Sequence, residues 1–255
     1  MTSPIFSDLS GASVFITGGG SGIGAALTEG FLRQGAQVAF IGRSDATGFV
    51  ADMETATGRT PLFIRGDITD VAELRAAMDR AADAHGPITR LVNNAANDLR
   101  HATPNVDEAF WDWSIAINLK AYFFACQHAV RGMQAVGYGH IVNFSSISYM
   151  MGNAGYAIYT SANAGITGLT RSLAREFGTD RIRVNALAPG WVLTQKQLDK
   201  WADPESLAAH LDRQCLKEHL APEDIVTPTL FLSSSASRMM TGQVMVVDGG
   251  VVVTG

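Results

Sequence analysis

Two hydroxyl side chains, Ser146 and Tyr159, stand thirteen residues apart in the stretch from Asn143 to Gly165. Ser146 follows the apolar run Ile141 to Phe144, which reads as a buried strand, and Tyr159 lies on the small-residue helix that comes next. Open α/β sheets place their chemistry just past the carboxyl ends of strands, so the pair is positioned for catalysis on an alcohol or carbonyl. Asn163 falls one helical turn after Tyr159 on the same face, where a cation is needed if the phenol is to give up its proton near neutral pH. An amide supplies no such charge. Asn118 sits in an apolar stretch that reads as one long helix from Trp113 to about Ala135. A polar residue there is expected to bond something specific.

The elements that must position these groups alternate between strand and helix. Ser13 to Thr17 is a short apolar strand that runs into Gly18-Gly19-Gly20-Ser21-Gly22-Ile23-Gly24 and then into a helical pattern from Ala25 to Gln34. Glycines let the backbone turn sharply and approach a pyrophosphate, which the free N–H groups at the helix start then meet. The second strand, Gln37 to Ile41, ends in Gly42-Arg43-Ser44 rather than in a carboxylate that would hold a ribose diol. Arg43 and Ser44 suit a 2′-phosphate, so NADP is favoured over NAD. A third strand, Leu62 to Arg65, leads to Asp67 and Ile68, with Asp67 placed to meet the adenine edge. The fourth, Thr89 to Val92, ends in Asn93-Asn94-Ala95-Ala96, whose amides can tie the loop down while backbone groups face the cofactor.

Asn97 to His101 follows, polar and suited to a hydroxyl-rich substrate. A sixth strand, Arg183 to Leu187, stops at Pro189-Gly190, which turns the chain with Trp191 and Val192 over the nicotinamide end. Leu193 to about Leu220 reads as helical, with Thr194, Gln195 and Trp201 near its start. Inserted before the next main helix, Pro222 to Ser233, it is expected to be a lid. Val244 to Val247 reads as the last strand. Met239, Met240 and Val251 to Val253 are assigned to core or subunit contacts.

At 255 residues, 47% hydrophobic and 17% charged, the chain can bury a full core and reads as a single domain, residues 1–255, with 193–220 as its lid. A net charge of -5 without any basic run gives no footprint for nucleic acid or an anionic membrane. A small-molecule partner is expected. No segment approaches the roughly 20 apolar residues of a membrane span, and the first residues carry no secretion pattern, so a cytoplasmic protein is expected. Cys126 and Cys215 lack disulfide or metal-ligand spacing and read as buried free thiols; no metal is expected.

Taken together, the motifs resemble the short-chain dehydrogenase/reductase family over essentially the whole chain. Thr17 to Gly24 fits its TGxxxGxG pattern, Asn93 to Ala96 its NNAG with the last glycine changed, and Pro189-Gly190 its PG turn. Asn118, Ser146 and Tyr159 fall on three positions of the catalytic tetrad. The fourth is Asn163, where the family's YxxxK motif has lysine. Asn97-Asp98 with Arg100-His101, Tyr149, Lys200-Trp201 and Gln214 to Lys217 are similar to bacterial aldose 1-dehydrogenases, which oxidise D-xylose, L-arabinose and related sugars to lactones.

The resemblance implies a Rossmann-type, doubly wound α/β sheet of seven mostly parallel strands and a homotetramer built on the helices near residues 113 to 135 and 156 to 177. It implies that Gly18, Gly20, Ser21, Gly22, Ile23 and Gly24 hold the pyrophosphate, that Arg43, Ser44, Asp67 and Ile68 hold the adenosine end, and that Asn94, Ala95, Tyr159, Asn163, Pro189, Gly190, Val192 and Thr194 hold the nicotinamide half. A monosaccharide would meet Asn97, His101, Ser146, Ser148, Tyr149, Tyr159, Trp191 and Gln195. Ser146 would position the anomeric hydroxyl, Tyr159 would take its proton, and Asn118 would hold a water or helix kink that relays it.

A tyrosine near its ordinary pKa of 10 is only about 0.1% ionised at pH 7, so losing the lysine implies a rate about 10 to 1,000-fold lower at neutral pH. Two other readings stay open. One is a carbonyl reductase using the same site in the other direction; the other is a catalytically silent NADP-binding relative. Retention of Asn118, Ser146 and Tyr159 argues against the silent form.

Overall fold

The computed structural model describes residues 4–253. Seven strands form one sheet: β1 (Ser13–Thr17), β2 (Gln37–Gly42), β3 (Leu62–Arg65), β4 (Arg90–Asn93), β5 (Gly139–Phe144), β6 (Ile182–Pro189) and β7 (Val244–Val247). Their order is β3-β2-β1-β4-β5-β6-β7, and every pairing is parallel, where the sequence predicts a mostly parallel sheet. Parallel strands are covered on both faces, which is why β1 is buried at all five positions.

Alternate strand residues feed two cores. Phe15, Ile41, Leu91 and Ile141 face α3 (Val71–His85), α5 (Ala121–Val136) and α7 (Ala157–Phe177), introduced here with α1 (Gly22–Arg33), α2 (Thr47–Thr57), α4 (Glu108–Ile115) and the one-turn α6 (Ser148–Met151). Ile16, Phe40, Val92 and Val142 face the other way, packing with Phe31 of α1, Met53 of α2 and Leu230 of α10 (Pro222–Ser233), which follows α8 (Gln195–Lys200) and α9 (Pro204–Arg213). The chain winds outward from β1 to β3, then returns to lay β4 against the other side of β1. That reversal opens a cleft beyond the carboxyl ends of β1 and β4.

Two predicted helices differ in instructive ways. The one expected from Trp113 begins at Glu108, because the Asp107 side chain accepts the Phe110 N–H and caps it. It is also interrupted by a π turn, Ala116–Lys120, centred on Asn118. The segment expected to be helical from Leu193 to Leu220 is two short helices. Asp203 precedes Pro204, takes extended geometry and caps Ser206, which breaks the run; after Arg213 the Gln214 amide donates to the Leu216 and Glu218 carbonyls instead.

Cys126 is buried as expected, and burial pushes its thiol up to about 12. Cys215, expected to be buried, is exposed, with Sγ donating to the Gly250 carbonyl at 3.2 Å. The chain turn at Gly249-Gly250 brings the two together. Met240 packs against the core, whereas Met239 and Val253 are exposed. Among the described residues no helix is long and apolar enough to cross a membrane.

Candidate active site

The glycine turn is built for close approach of backbone. Gly18 and Gly22 have φ of +71° and +53°, and a Cβ on Gly24 would run into the Gly18 carbonyl. Ser21, ahead of α1, makes no side-chain cap, so the first N–H groups of that helix are left for an anion. Asn94 crosses from β4 to hold the turn: its N–H donates to Thr17 Oγ1 at 3.0 Å, and its Nδ2 to the Thr17 carbonyl at 3.1 Å and the Gly18 carbonyl at 3.3 Å. Behind it Asn93 Nδ2 donates to Asn143 Oδ1 at 2.9 Å, and Asn143 Nδ2 to Thr170 Oγ1 at 3.1 Å, locking β4, β5 and α7 together.

One cavity of about 910 Å³ runs from this turn to the catalytic candidates, a size that suits a long cofactor with a small substrate. Its far end is lined by Arg43, Ser44, Asp67 and Ile68. Arg43 lies 3.7 Å from the Asp67 carboxylate with its side chain 57% exposed at the cavity edge, and Arg65 Nε donates to the Arg43 main-chain carbonyl. Asp67 Oδ1 accepts from the Thr69 N–H and hydroxyl.

The near end brings Asn118, Ser146, Ser148, Tyr159 and Asn163 together, under Pro189, Gly190, Trp191, Val192, Thr194 and Gln195. Ser146 Oγ accepts the Ser148 N–H at 3.1 Å, leaving its own proton to donate. Tyr159 is half-buried, and its phenol is pushed up to about 12, by burial first and by the Asp98 charge next, while hydrogen bonding from Ser146 and Asn163 acts weakly the other way. Asn163 is buried. Its Nδ2 donates 2.8 Å back to the Tyr159 main-chain carbonyl. Position 163 therefore braces the helix under Tyr159 and brings no charge to it.

The π turn has a visible cause. Asn118 Oδ1 accepts the Asn97 N–H at 2.8 Å, while its Nδ2 donates to the Asn97 carbonyl at 3.0 Å and to Ser114 Oγ at 3.3 Å. The π turn is centred on the side chain that clamps the neighbouring loop on both sides.

Three expected substrate residues do not line the cavity. Asn97 is held by Asn118 and caps the Leu99 N–H. His101 donates its main-chain N–H to the Gly155 carbonyl, has Nδ1 3.3 Å from the Leu99 carbonyl and packs its ring 5.2 Å from that of Phe110. Tyr149 sits between Ser148 and Met151, which share the cavity-facing side of α6, and so lies on the other side.

In their place the cavity has Asp98, Arg100, Tyr156, Lys196, Gln197 and His210. Lys196 Nζ meets Asp98 Oδ1 at 2.6 Å, Gln197 Nε2 donates to Asp98 Oδ2 at 2.6 Å, and Trp191 Nε1 donates to Gln197 Oε1 at 2.9 Å. Arg100 lies over the Trp201 ring at 4.3 Å, and Trp191 meets the His210 ring edge-on at 5.4 Å. The contacts of Asp98 and Arg100 with Lys196, Gln197 and Trp201 join segments about a hundred residues apart, which no local spacing announces. Among the described residues no group of His, Cys, Asp or Glu side chains could hold a metal ion.

A family model described as enoyl-(acyl carrier protein) reductase matches residues 18–252. The chain is 47% identical over 248 residues to a protein of Rhizobium meliloti (strain 1021) described as a probable galactose dehydrogenase, covering 96% of this chain and 97% of that one. It is 41% identical over 251 residues to the D-xylose 1-dehydrogenase of Caulobacter vibrioides (strain NA1000 / CB15N), covering 98% and 99%. Among solved structures it superposes on one from Sinorhizobium meliloti 1021, described as a short-chain alcohol dehydrogenase, with a TM-score of 0.92 and 33% identity over 97% of this chain and 98% of that one. With a glycine turn at the reversal of an all-parallel sheet and a Ser-Tyr pair at its rim, the chain belongs to the short-chain dehydrogenase/reductase family of oxidoreductases, acting on CH–OH donors.

Proposed function

We propose that the chain oxidises the C1 hydroxyl of an aldose to a lactone, using NADP in preference to NAD. The observation that carries this reading is the single cavity that joins the glycine turn to Ser146 and Tyr159, in a chain whose full length aligns with sugar dehydrogenases. The turn fits a dinucleotide: a Cβ at Gly24 would close it, and the uncapped start of α1 offers N–H groups to a pyrophosphate. Gly18, Gly20, Ser21, Gly22, Ile23 and Gly24 hold that group. Arg43 and Ser44 take a 2′-phosphate, Asp67 and Ile68 border the adenine, and Asn94, Ala95, Pro189, Gly190, Val192 and Thr194 border the nicotinamide.

The oxidised nicotinamide is the hydride acceptor and carries a positive charge that offsets part of the charge missing at position 163. Ser146 donates its hydroxyl proton to the C1 oxygen and orients it. Tyr159, as phenolate, takes the C1 hydroxyl proton while the C1–H bond breaks, leaving a C1 carbonyl. Asn118 keeps Asn97 and the neighbouring Asp98 fixed beside this centre. Asn163 offers an amide and no charge, and burial outweighs it, so the phenol keeps its proton until alkaline pH. Turnover is therefore slow at pH 7 and rises with pH. The working form is a cytoplasmic homotetramer packed on α4, α5 and α7.

Similarity to the 3-oxoacyl-[acyl-carrier-protein] reductase of Chlamydia pneumoniae, 35% identical over 243 residues, supports one competing reading, reduction of a carrier-linked carbonyl at the same residues. Incubating the protein with D-galactose, D-xylose or L-arabinose, and with NADP or NAD, then identifying the product by carbon NMR, separates the two. A lactone formed faster with NADP supports the proposal. Absence of any lactone, with oxidation of NADPH by a β-ketoacyl thioester, would replace it.

A further inference from the structure

A chain of hydrogen bonds runs along the cavity wall from Trp191 to Lys196, and chemistry fixes its direction. An indole N–H only donates, so the atom that Trp191 Nε1 meets at 2.9 Å is the oxygen of the Gln197 amide. The amide nitrogen then faces Asp98 Oδ2 at 2.6 Å, where it needs an acceptor. Lys196 Nζ takes Oδ1, also at 2.6 Å. Asp98 is thus gripped as a carboxylate, with an ammonium to balance its charge and a donor beside each oxygen. Both ends of the chain are tied to the reacting centre. Asn118 holds the N–H and the carbonyl of Asn97, fixing the backbone next to Asp98. The Ile147 N–H donates to the Pro189 carbonyl at 3.2 Å, which keeps the segment leading to Trp191 beside Ser146.

We infer that Asp98, flanked by Lys196 and Gln197, is the specificity-determining group for the sugar, and that it binds two adjacent hydroxyls beyond C1, one on each carboxylate oxygen. The inference deepens the C1 oxidation proposed above and rests on it. Asp98, Lys196, Gln197 and Trp191 line the same cavity as Ser146 and Tyr159, and the Asp98 side chain keeps 29% of its surface exposed. Among the described residues each Asp98 oxygen accepts one side-chain bond and can take another, while Lys196 Nζ and Gln197 Nε2 each give the carboxylate one hydrogen and keep more.

That leaves acceptors in the middle and a donor on either side. A hydroxyl both donates and accepts, so one hydroxyl fits between Asp98 Oδ1 and Lys196 and its neighbour fits between Oδ2 and Gln197, with both roles of both groups met. Because the ammonium already balances the carboxylate, the wall suits an uncharged polyol rather than a cation. A β-ketoacyl chain brings no hydroxyl pair and would cover the carboxylate without replacing the bonds to water that it displaces. A wall of this kind rejects analogues that lack the hydroxyls it was built to bond.

The test removes hydroxyls from the substrate and acceptors from the protein in one grid. D-Galactose and its 2-deoxy, 3-deoxy, 4-deoxy and 6-deoxy forms are compared on the protein, on Asp98→Ala and on Asp98→Asn. Two readouts are taken: kcat and KM for NADP reduction, and sugar affinity by NMR titration of the same proteins carrying Tyr159→Phe and saturated with NADP. In the parent, loss of either of two adjacent hydroxyls should cost about 10- to 100-fold in kcat/KM and in affinity, and loss of the others less than about threefold. In Asp98→Ala both penalties should vanish, with galactose itself weakened chiefly in KM. Asp98→Asn keeps the shape and one acceptor, so it should lose one penalty and keep the other, with NADPH affinity within about threefold of the parent. Penalties unchanged in both variants would make the carboxylate a latch between α8 and the loop and overturn the inference, as would a sensitive pair that is not adjacent. If the affinity grid shows the expected pattern while no lactone forms, the oxidation reading fails and the Asp98 assignment stands. If lactone forms and the grid is flat, the oxidation stands and the assignment falls.

Discussion

The two ends of the cavity are built on different principles. At the cofactor end, backbone does the work: glycines without side chains, uncapped N–H groups, and asparagines whose amides hold the main chain. At the other end, side chains of α8 and Trp201 meet the loop after β4 across about a hundred residues of sequence. One end is fixed by local main-chain geometry, the other by contacts that exist only once the sheet has formed.

The largest way to separate the two ends is Tyr159→Phe. It removes the base and leaves the cradle, so turnover should fall about 10³-fold while NADPH affinity, read by fluorescence titration, stays within a few-fold. Asn118→Ala cuts the clamp that joins both ends. Loss of three hydrogen bonds at a buried site should cost about 2–4 kcal/mol in urea unfolding and lower kcat by tens of fold. Arg43→Gln acts only at the adenosine end, raising KM for NADP about tenfold with little change for NAD; equal effects on both would remove the NADP preference. Smallest is Gln197→Leu, which frees one Asp98 oxygen and the Trp191 N–H. We expect a few-fold rise in the sugar KM and an unchanged cofactor KM.

The same contrast explains what was legible beforehand. The strand, turn and helix at residues 13–33 announce themselves because each needs a local residue type: an apolar run, glycines where φ is positive, a helical pattern. The absence of a cation at 163 is equally plain. The break at Asp203-Pro204 carries a readable signal, since the residue before proline avoids helix and aspartate caps the next one, yet the mixed polarity of the segment masks it. The start of α4 hides in the same way behind Asp107. The Asp98 grip is a different matter. Its partners are 98 and 99 positions away, and only the folded sheet brings them together. Tyr149 and His101 have suitable chemistry but are turned aside, one by the phase of a single helical turn, the other by the packing of its ring against Phe110.

The central claim is that this site oxidises sugars with a base that lacks its cation. Measuring the rate of NADP reduction by D-galactose at pH 7 and pH 10, for the protein and for Asn163→Lys, tests it most directly. The phenolate fraction grows tenfold per pH unit below a pKa of about 12, so the protein should be slow at pH 7 and much faster at pH 10. The lysine should lower that pKa by about 1–3 units, giving a gain of about 10 to 1,000-fold at pH 7 that narrows at pH 10. A protein already fast at pH 7, or a lysine variant no faster than its parent, would contradict the account.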